Sequence, residues 1–450
     1  MSFLKRFQVS LESSYTLPKN ASYVVAYSGG VDSHVLLYCC NQLGFPVRAV
    51  HVHHGLQDVA DDWVGQCQRF CKSLNVSLDV LYVDAQKKQG QSPEETARNV
   101  RYEALQKNLT VDDCLLTAQH LNDQAETLLL QLFRTASAAG LSAMPACRKL
   151  GENTHLRPLL SFSRAEIESY ATDNDLRWAE DPSNYDVSFD RNFIRKNVVP
   201  LLETRWPEIV KQLSTVAGLQ SNNLHVLEDM AAIDLSNAVT TERSHLQVRV
   251  YEVVSMLSID ALKQLTSPRL LNMLRYWIIA TVKNQPTRNL LEEIEKTLIN
   301  VQSDANPEII FSAHAFKKFR GSLYLLKIEK ELTVEDEQCW NLSEPLMLQK
   351  LNIKLSVADT DGDGLTKELL KEPLTVRFRK GGETFHPSGR GHSQRLKKLL
   401  QEAGVPPWER DFIPLVYFKD ELIAVVGLWV CKRYSVGDGG NGWVIGVERF

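Results

Sequence analysis

Six consecutive residues near the start of the chain, Ser28-Gly29-Gly30-Val31-Asp32-Ser33, combine two hydroxyls, two glycines and a carboxylate. They follow the apolar run Tyr23-Val24-Val25-Ala26 and precede Val35, Leu36, Cys39, Cys40 and Leu43, which are spaced as one stripe of a helix. Paired glycines let a backbone take positive φ and approach a ligand without Cβ clashes. A helix start behind them offers free N–H groups and the positive end of a dipole, which together favour a phosphate. Ser28 and Ser33 add hydroxyl donors. Asp32 would repel a phosphate unless a Mg²⁺ ion bridged the two. Ser28, Gly29, Gly30, Val31, Asp32 and Ser33 are therefore the expected nucleotide-binding loop, with Asp32 as metal ligand. The bland alternative is an ordinary strand-to-helix turn in which Asp32 only favours the helix start. The stretch has no G-x-x-x-x-G-K-[ST], so it is not a Walker A loop.

A second group follows the short strand predicted at Cys114-Leu115-Leu116-Thr117-Ala118. His120, Asp123, Glu126 and Thr127 lie three or four apart, so one helical face collects an imidazole, two acids and a hydroxyl at a strand end. Between the two groups, Val47 to Leu56 reads as a strand that ends in His51, His53, His54 and Gly55. Doubly wound sheets bind ligands beyond the carboxyl ends of their strands, which adds His53 to the nucleotide-binding set. The histidines could instead mark a metal, but no cysteine or carboxylate stands at ligand spacing beside them. A helix near Pro93 to Leu105 carries Glu94, Arg98, Arg101 and Tyr102 on adjacent positions, with Glu94 and Arg98 read as a solvated i,i+4 pair.

The elements that must position these residues alternate strand and helix through the first two hundred residues, the pattern of a parallel sheet with crossover helices. From about Trp206 the alternation gives way to a helical connector over Ile209 to Ala238. Pro268 to Trp277 reads as an amphipathic core helix, followed by strands at 308–311 and 322–328. An acidic linker is expected from Glu329 to Glu337, then strands at Leu374 to Arg379, Ile413 to Phe418 and Leu422 to Trp429. A chain of 450 residues divides into two or three domains, and the expected bounds are 1–217, 218–330 and 351–450. The formal net charge of −4 does not advertise a nucleic-acid partner, so any basic surface must be local. Arg377, Arg379, Lys380, Arg390, Arg395, Lys397, Lys398 and Arg410 supply one, interspersed with glycines and with His386 and His392. None of the eight cysteines forms a C-x-x-C, so neither disulfides nor zinc are expected. The N-terminal residues lack a signal-peptide pattern and no window approaches a membrane span, so a cytoplasmic protein is expected.

SGGVDS resembles the loop of the PP-loop ATP pyrophosphatases, which cleave ATP between the α and β phosphates to adenylate a carbonyl oxygen. The order SGGVDS, HVHHGL, SPEETARNVRYEAL, TAQHLNDQAETLL, GLSAMP, RPLL and EDPSNYDVSFDRNFIRKNVVPLL is more specific. With VRFRKGGE and LKKLLQEAGVPPWERDFIPLV near the C-terminus, it resembles the bacterial tRNA(Ile)-lysidine synthetase family. The resemblance implies a PP-loop α/β catalytic domain with a doubly wound parallel sheet, a mostly helical middle domain and a small α+β C-terminal domain that binds tRNA. It implies a ligase that uses ATP and Mg²⁺ to join free lysine to carbon 2 of the wobble cytidine in the CAU anticodon of tRNA(Ile). The product is lysidine, the intermediate is an adenylated cytidine, and the protein is a monomer or homodimer. Asp32, His120, Asp123 and Glu126 are then the catalytic candidates, and Asp32 and Asp123 the metal ligands. Arg191, Arg195, Arg377, Arg379, Lys380, Arg395, Lys397 and Lys398 are assigned to tRNA. The family's usual D-D-Q is Asn122-Asp123-Gln124 here, which assigns Asn122 to orienting Asp123. Its usual glycine-rich turn is Arg134-Thr135-Ala136-Ser137. The competing readings are another adenylating tRNA-modifying PP-loop enzyme of the thiolase type and a non-catalytic tRNA-binding relative.

Overall fold

The computed structural model describes residues 1–450 except 14–20, 54–59, 85–92, 135–136, 179–185, 242–247, 249, 302–306, 329–333, 335, 362–363 and 437–439, and the side chains of 60–62 and 93–95. His54, the Glu94–Arg98 pair, Thr135 and Ala136, the segment from Glu180 to Tyr185 and most of the acidic linker fall outside the described residues. The chain forms two compact units, Met1–Val226 and Leu227–Phe450.

The first unit runs α1 (Phe3–Ser13), β1 (Ser22–Ala26), α2 (Val31–Gln42), β2 (Val47–His53), α3 (Ala60–Ser73), β3 (Leu78–Tyr82), α4 (Pro93–Asn108) and β4 (Asp113–Leu116). It continues with α5 (Leu121–Phe133), α6 (Ala138–Leu141), β5 (Cys147–Leu150), β6 (Asn153–Leu156), α7 (Arg164–Asp173), α8 (Asp190–Phe193), α9 (Val199–Arg205) and α10 (Ile209–Ala238), within which the unit boundary falls. The sheet order is β3-β2-β1-β4-β6-β5, parallel except for the antiparallel edge strand β5. Alternation along β1 sends Val25 into a core with Phe7, Leu36, Cys40 and Phe162. Val24 goes into a second core with Val50, Leu105 and Leu115, so helices cover both faces. The single stripe expected on α2 is not what forms. Val31, Ser33, His34, Val35, Leu36, Leu37, Cys39 and Cys40 are all buried, because α2 lies over the sheet and is itself covered by α7.

The second unit opens with β7 (Glu252–Ser258), α11 (Ile259–Leu262), α12 (Ser267–Val282), α13 (Arg288–Ile294), β8 (Glu308–Phe311), β9 (His314–Phe319) and β10 (Ser322–Lys327). Its helices pack Trp277 and Leu274 against Phe316 of an antiparallel sheet ordered β7-β10-β9-β8. The helical middle region thus carries two strands, β7 and β9, beyond the two expected. The rest is β-rich: β11 (Gln338–Trp340), β12 (Leu346–Leu348), β13 (Ile353–Asp361), β14 (Leu374–Arg377), β15 (Thr384–Phe385) and β16 (Gln394–Arg395) precede α14 (Leu396–Glu402). After it come β17 (Leu415–Phe418), β18 (Glu421–Val425), β19 (Trp429–Val430) and β20 (Asn441–Arg449). The sheets are β11-β14-β17-β18-β19, β12-β13-β20 and β15-β16, around a core containing Trp340 and Trp443.

The turn between β1 and α2 divides its two glycines. Gly29 takes φ +88°, and a Cβ there would lie 3.0 Å from Cys67 Sγ. Gly30 has φ −79° as the residue capping α2, and its Cβ would meet only Ser28 Oγ at 3.8 Å. The expectation of positive φ therefore holds for Gly29 alone. Gly29→Ala should cost about 1–3 kcal/mol of unfolding free energy. Gly30→Ala should change it by no more than about 0.5 kcal/mol in either direction, as substitutions that create no strain or clash do. Denaturant titration of both variants checks the contrast, and equal losses would contradict it.

Candidate active site

β1 ends at Ala26, and the chain turns through Ser28-Gly29-Gly30 into α2. Ser33 Oγ donates to the Gly30 carbonyl at 2.9 Å and lies 3.2 Å from Ser28 Oγ, which closes the turn from inside. No side chain caps the first turn of α2, so its N–H groups face outward at the carboxyl edge of the sheet, as an anion site requires. His53 ends β2, the neighbouring strand, with its ring centre 5.1 Å from that of Tyr82 on β3.

Asp32 stands in the first turn of α2 and meets His120 from the start of α5. Asp32 Oδ1 is 3.8 Å from His120 Nε2, while Oδ2 is 3.5 Å from Arg164 Nη1 at the start of α7. Asp32 Oδ1 has no hydrogen-bond partner among the described residues. Burial raises the pKa of this carboxyl, and His120 and Arg164 offset that only in part. His120 is buried, and among the described residues neither of its ring nitrogens has a hydrogen-bond partner.

Asp123 and Glu126, three apart on α5, face Arg191 and Arg195, four apart on the continuous helical stretch from α8 to α9. Glu126 accepts from Arg191 Nε at 2.8 Å and from Arg195 Nε and Nη2 at 2.6 and 2.9 Å. Asp123 Oδ1 accepts from the Nη2 atoms of Arg191 and Arg195 at 3.1 and 3.2 Å. Its Oδ2 accepts the backbone N–H of His120 at 3.1 Å. Burial pushes Asp123 up, but His120 and the two arginines outweigh it and hold its carboxyl below the usual range. Arg191 and Arg195 are engaged by carboxylates of the site. Asp123 has both oxygens occupied, so Asp32 is the carboxylate with an unused acceptor.

Asn122 does not orient Asp123. Its Oδ1 accepts the backbone N–H of Arg164 at 3.0 Å and joins the start of α5 to that of α7. Arg164 was not among the candidates. The Ser163-x-x-Glu166 capping box, whose bonds form at 2.8 and 3.2 Å, is the signal that places it at a helix start. A cleft of ≈ 910 Å³ opens on the other side of these two helix starts, lined by Asn122, Met144, Ser163, Glu166 and Lys211 among others, and does not include the loop.

In the second unit the basic run is partly neutralised. Arg377 pairs with Glu337 at 2.9 Å, Arg379 with Asp411 at 3.0 Å, Arg390 with Glu402 at 2.7 Å, and Lys398 approaches Glu402 at 3.8 Å. Lys380, Arg395 and Lys397 are exposed and have no ion pair among the described residues.

The PP-loop domain family matches residues 3–202. The TilS substrate binding domain matches 257–324 and the TilS substrate C-terminal domain 374–447. The tRNA(Ile)-lysidine synthase of Coxiella burnetii is 38% identical over 437 residues, covering 96% of this chain and 94% of its own. The chain belongs to the tRNA(Ile)-lysidine synthase family. The synthase of Serratia proteamaculans is 37% identical, covering 97% of this chain and 98% of its own. That of Methylococcus capsulatus is 39% identical, covering 93% and 94%.

The two aspartates of this family member should affect stability with opposite signs. The raised folded-state pKa of Asp32 means that its ionised form costs stability at neutral pH. That cost is absent below 3.8, builds as pH rises towards the raised value and is complete above it. Asp32→Asn should therefore stabilise the protein at pH 7 by about 0.5–2 kcal/mol. The lowered pKa of Asp123 contributes stability that is complete above 3.8 and lost as pH falls through the folded-state value. Asp123→Asn should cost about 1–3 kcal/mol at pH 7, less than complete loss of a buried pair because Glu126 still holds both arginines. Unfolding measured at pH 7 checks both signs.

Proposed function

We propose that this protein ligates lysine to carbon 2 of the wobble cytidine in the CAU anticodon of tRNA(Ile), consuming ATP and changing the tRNA from Met to Ile specificity. The observation that carries the reading is the pairing of an uncapped helix start after SGG with Asp32, whose Oδ1 is buried and unpartnered. Beside it lie Asp123 and Glu126, already ordered by Arg191 and Arg195.

The phosphates of ATP take the N–H groups of the Ser28 to Ser33 turn. Mg²⁺ fits Asp32 best, since it binds through one or two carboxylates plus substrate phosphates, and it would neutralise charge on the phosphates. The cytosine carbonyl oxygen attacks the α-phosphorus and pyrophosphate leaves, which turns a poor leaving group into a phosphate ester. Arg164, 3.5 Å from Asp32, is positioned to meet the charge that departs. The neutral ε-amine of lysine then attacks carbon 2, the carbon–oxygen bond breaks, and AMP leaves. The amine must lose a proton. His120 is the candidate acceptor, with both ring nitrogens unpartnered and Asp32 and Asp123 at 3.8 and 3.5 Å. Lys380, Arg395 and Lys397 supply backbone contacts to the tRNA. Among the described residues no helix is long and apolar enough to cross a membrane, and we place the reaction in the cytoplasm.

A thiolase-type reaction is less well supported. Cys39, Cys71 and Cys114 are buried and their thiols are pushed up to about 12, away from the thiolate that sulfur transfer needs.

Incubation with labelled lysine tests the proposal. Label should enter a tRNA(Ile) transcript with a CAU anticodon only when ATP is present, with one pyrophosphate released for each lysine joined. Asp32→Ala should abolish pyrophosphate release and leave tRNA affinity within about threefold. Parallel loss of both in a folded variant, or incorporation without ATP, would contradict it.

A further inference from the structure

α4 carries two residues that the reaction above does not use, Arg98 and Tyr102. Three guanidinium groups converge on that tyrosine. Arg98 Cζ lies 5.4 Å and Arg148 Cζ 4.9 Å from the centre of the ring. Arg157, just beyond β6, lies close enough to the Tyr102 side chain to interact with it electrostatically, and it donates from Nη1 to the Pro145 carbonyl at 2.5 Å. Among the described residues no carboxylate lies within ion-pair reach of Arg98, Arg148 or Arg157. Arg157 is only 3% exposed, and its Nε has no hydrogen-bond partner. Burial lowers its pKa, and Arg148 and Arg98 lower it further.

The same arginines fix a hydrogen-bond chain. Arg148 Nε donates to His155 Nδ1 at 3.0 Å, so the proton of the neutral ring sits on Nε2, which faces Thr117 Oγ1 at 2.7 Å. The Thr117 hydroxyl in turn donates to the Gln119 side chain, next to His120. His155 stays neutral beside these cations, because burial and the three arginines push its pKa down to about 2.

A buried guanidinium with an unused donor, beside two more cations and with no anion in ion-pair reach among the described residues, is costly unless something negative completes it. Phosphate oxygens match the planar fork of arginine. Stacking on Tyr102 holds two of the forks in place before a ligand arrives. Thr117 and Arg157 follow β4 and β6, and β4 is the direct neighbour of β1. The cluster therefore stands on the ATP loop's edge of the sheet but past the next strand. We propose that Arg98, Arg148 and Arg157 form a subsite for a backbone phosphodiester of the substrate RNA. It rests on the functional reading above, since it supplies that reading with an RNA contact inside the catalytic unit. A phosphate of ATP is the other source of the same chemistry. The offset from the loop, with β4 between, favours the RNA.

Arg98→Gln, Arg148→Gln and their combination, made in the full chain, distinguish the sources. Affinity for an unmodified tRNA(Ile) transcript is measured across a salt series, alongside ATP affinity and lysine ligation by the wild type. Each single variant should weaken tRNA binding about three- to tenfold and reduce the magnitude of the salt slope by about 0.7–0.9, with twice the slope change in the double variant. ATP affinity should not change, and Arg98→Lys should recover the slope. Wild-type tRNA affinity and slope in the folded double variant, while the wild type still ligates lysine, would overturn the subsite and leave the functional reading standing. So would weaker ATP binding with unchanged tRNA binding, which assigns the cluster to the nucleotide. A wild type that binds the transcript but never ligates lysine would overturn the functional reading, while the slope change still supports the RNA contact.

Discussion

Four charges, the buried Glu126 and the half-buried Asp123, Arg191 and Arg195, set the geometry of the catalytic unit. Neither pair could be buried alone, because each uncompensated charge costs several kcal/mol in the interior. Together they satisfy one another through five bonds between side chains, at 2.6 to 3.2 Å. The consequence reaches beyond electrostatics. The cluster fixes the helical stretch from α8 to α9 against α5, and so fixes the start of α5, where His120 stands over the end of β4. A neutral replacement of similar volume could pack there, but it would not hold a carboxylate's orientation at a strand end.

That saturation sharpens the role of Asp32. Of the three carboxylates at the site, Asp123 and Glu126 are spoken for by arginine, whereas Asp32 keeps an acceptor that no described residue meets with a hydrogen bond. The protein retains at Asp32 a destabilising, high-pKa carboxyl that a bound ligand can relieve, and keeps at Asp123 a low-pKa one that the fold itself relieves. Sites that must bind charge commonly carry such a deficit, and the rest of the fold offsets it. Asn122 adds a neutral link in this frame. Its carbonyl holds the start of α7, and thereby Arg164, on the Asp32 side.

Much of this was legible in the sequence, and the failures have physical causes. The loop could be read because a β-branched strand, two glycines, an acid and a helix follow one another locally. The buried surround of α2 could not, because the stripe pattern does not reveal that α7 returns to cover its outer side. The carboxylate partners of Arg191 and Arg195 could not be read because they lie 65 and 69 residues earlier in the chain. The acidic neighbours of the basic run were hidden for the same reason, since Glu337 and Asp411 meet Arg377 and Arg379 only after the strands pair. β9 and β13 were missed because Lys317, Lys318, Asp359 and Asp361 interrupt the apolar alternation by which a strand is recognised.

The central claim is that the fold satisfies Asp123 and leaves Asp32 in deficit. Carbon-13 NMR titration of the aspartate side-chain carboxyls, with Asp32→Asn and Asp123→Asn for assignment, measures this directly in the protein free of ligands. The account predicts that Asp32 titrates above 3.8 and Asp123 below it. Coincident midpoints, or the reverse order, would contradict it.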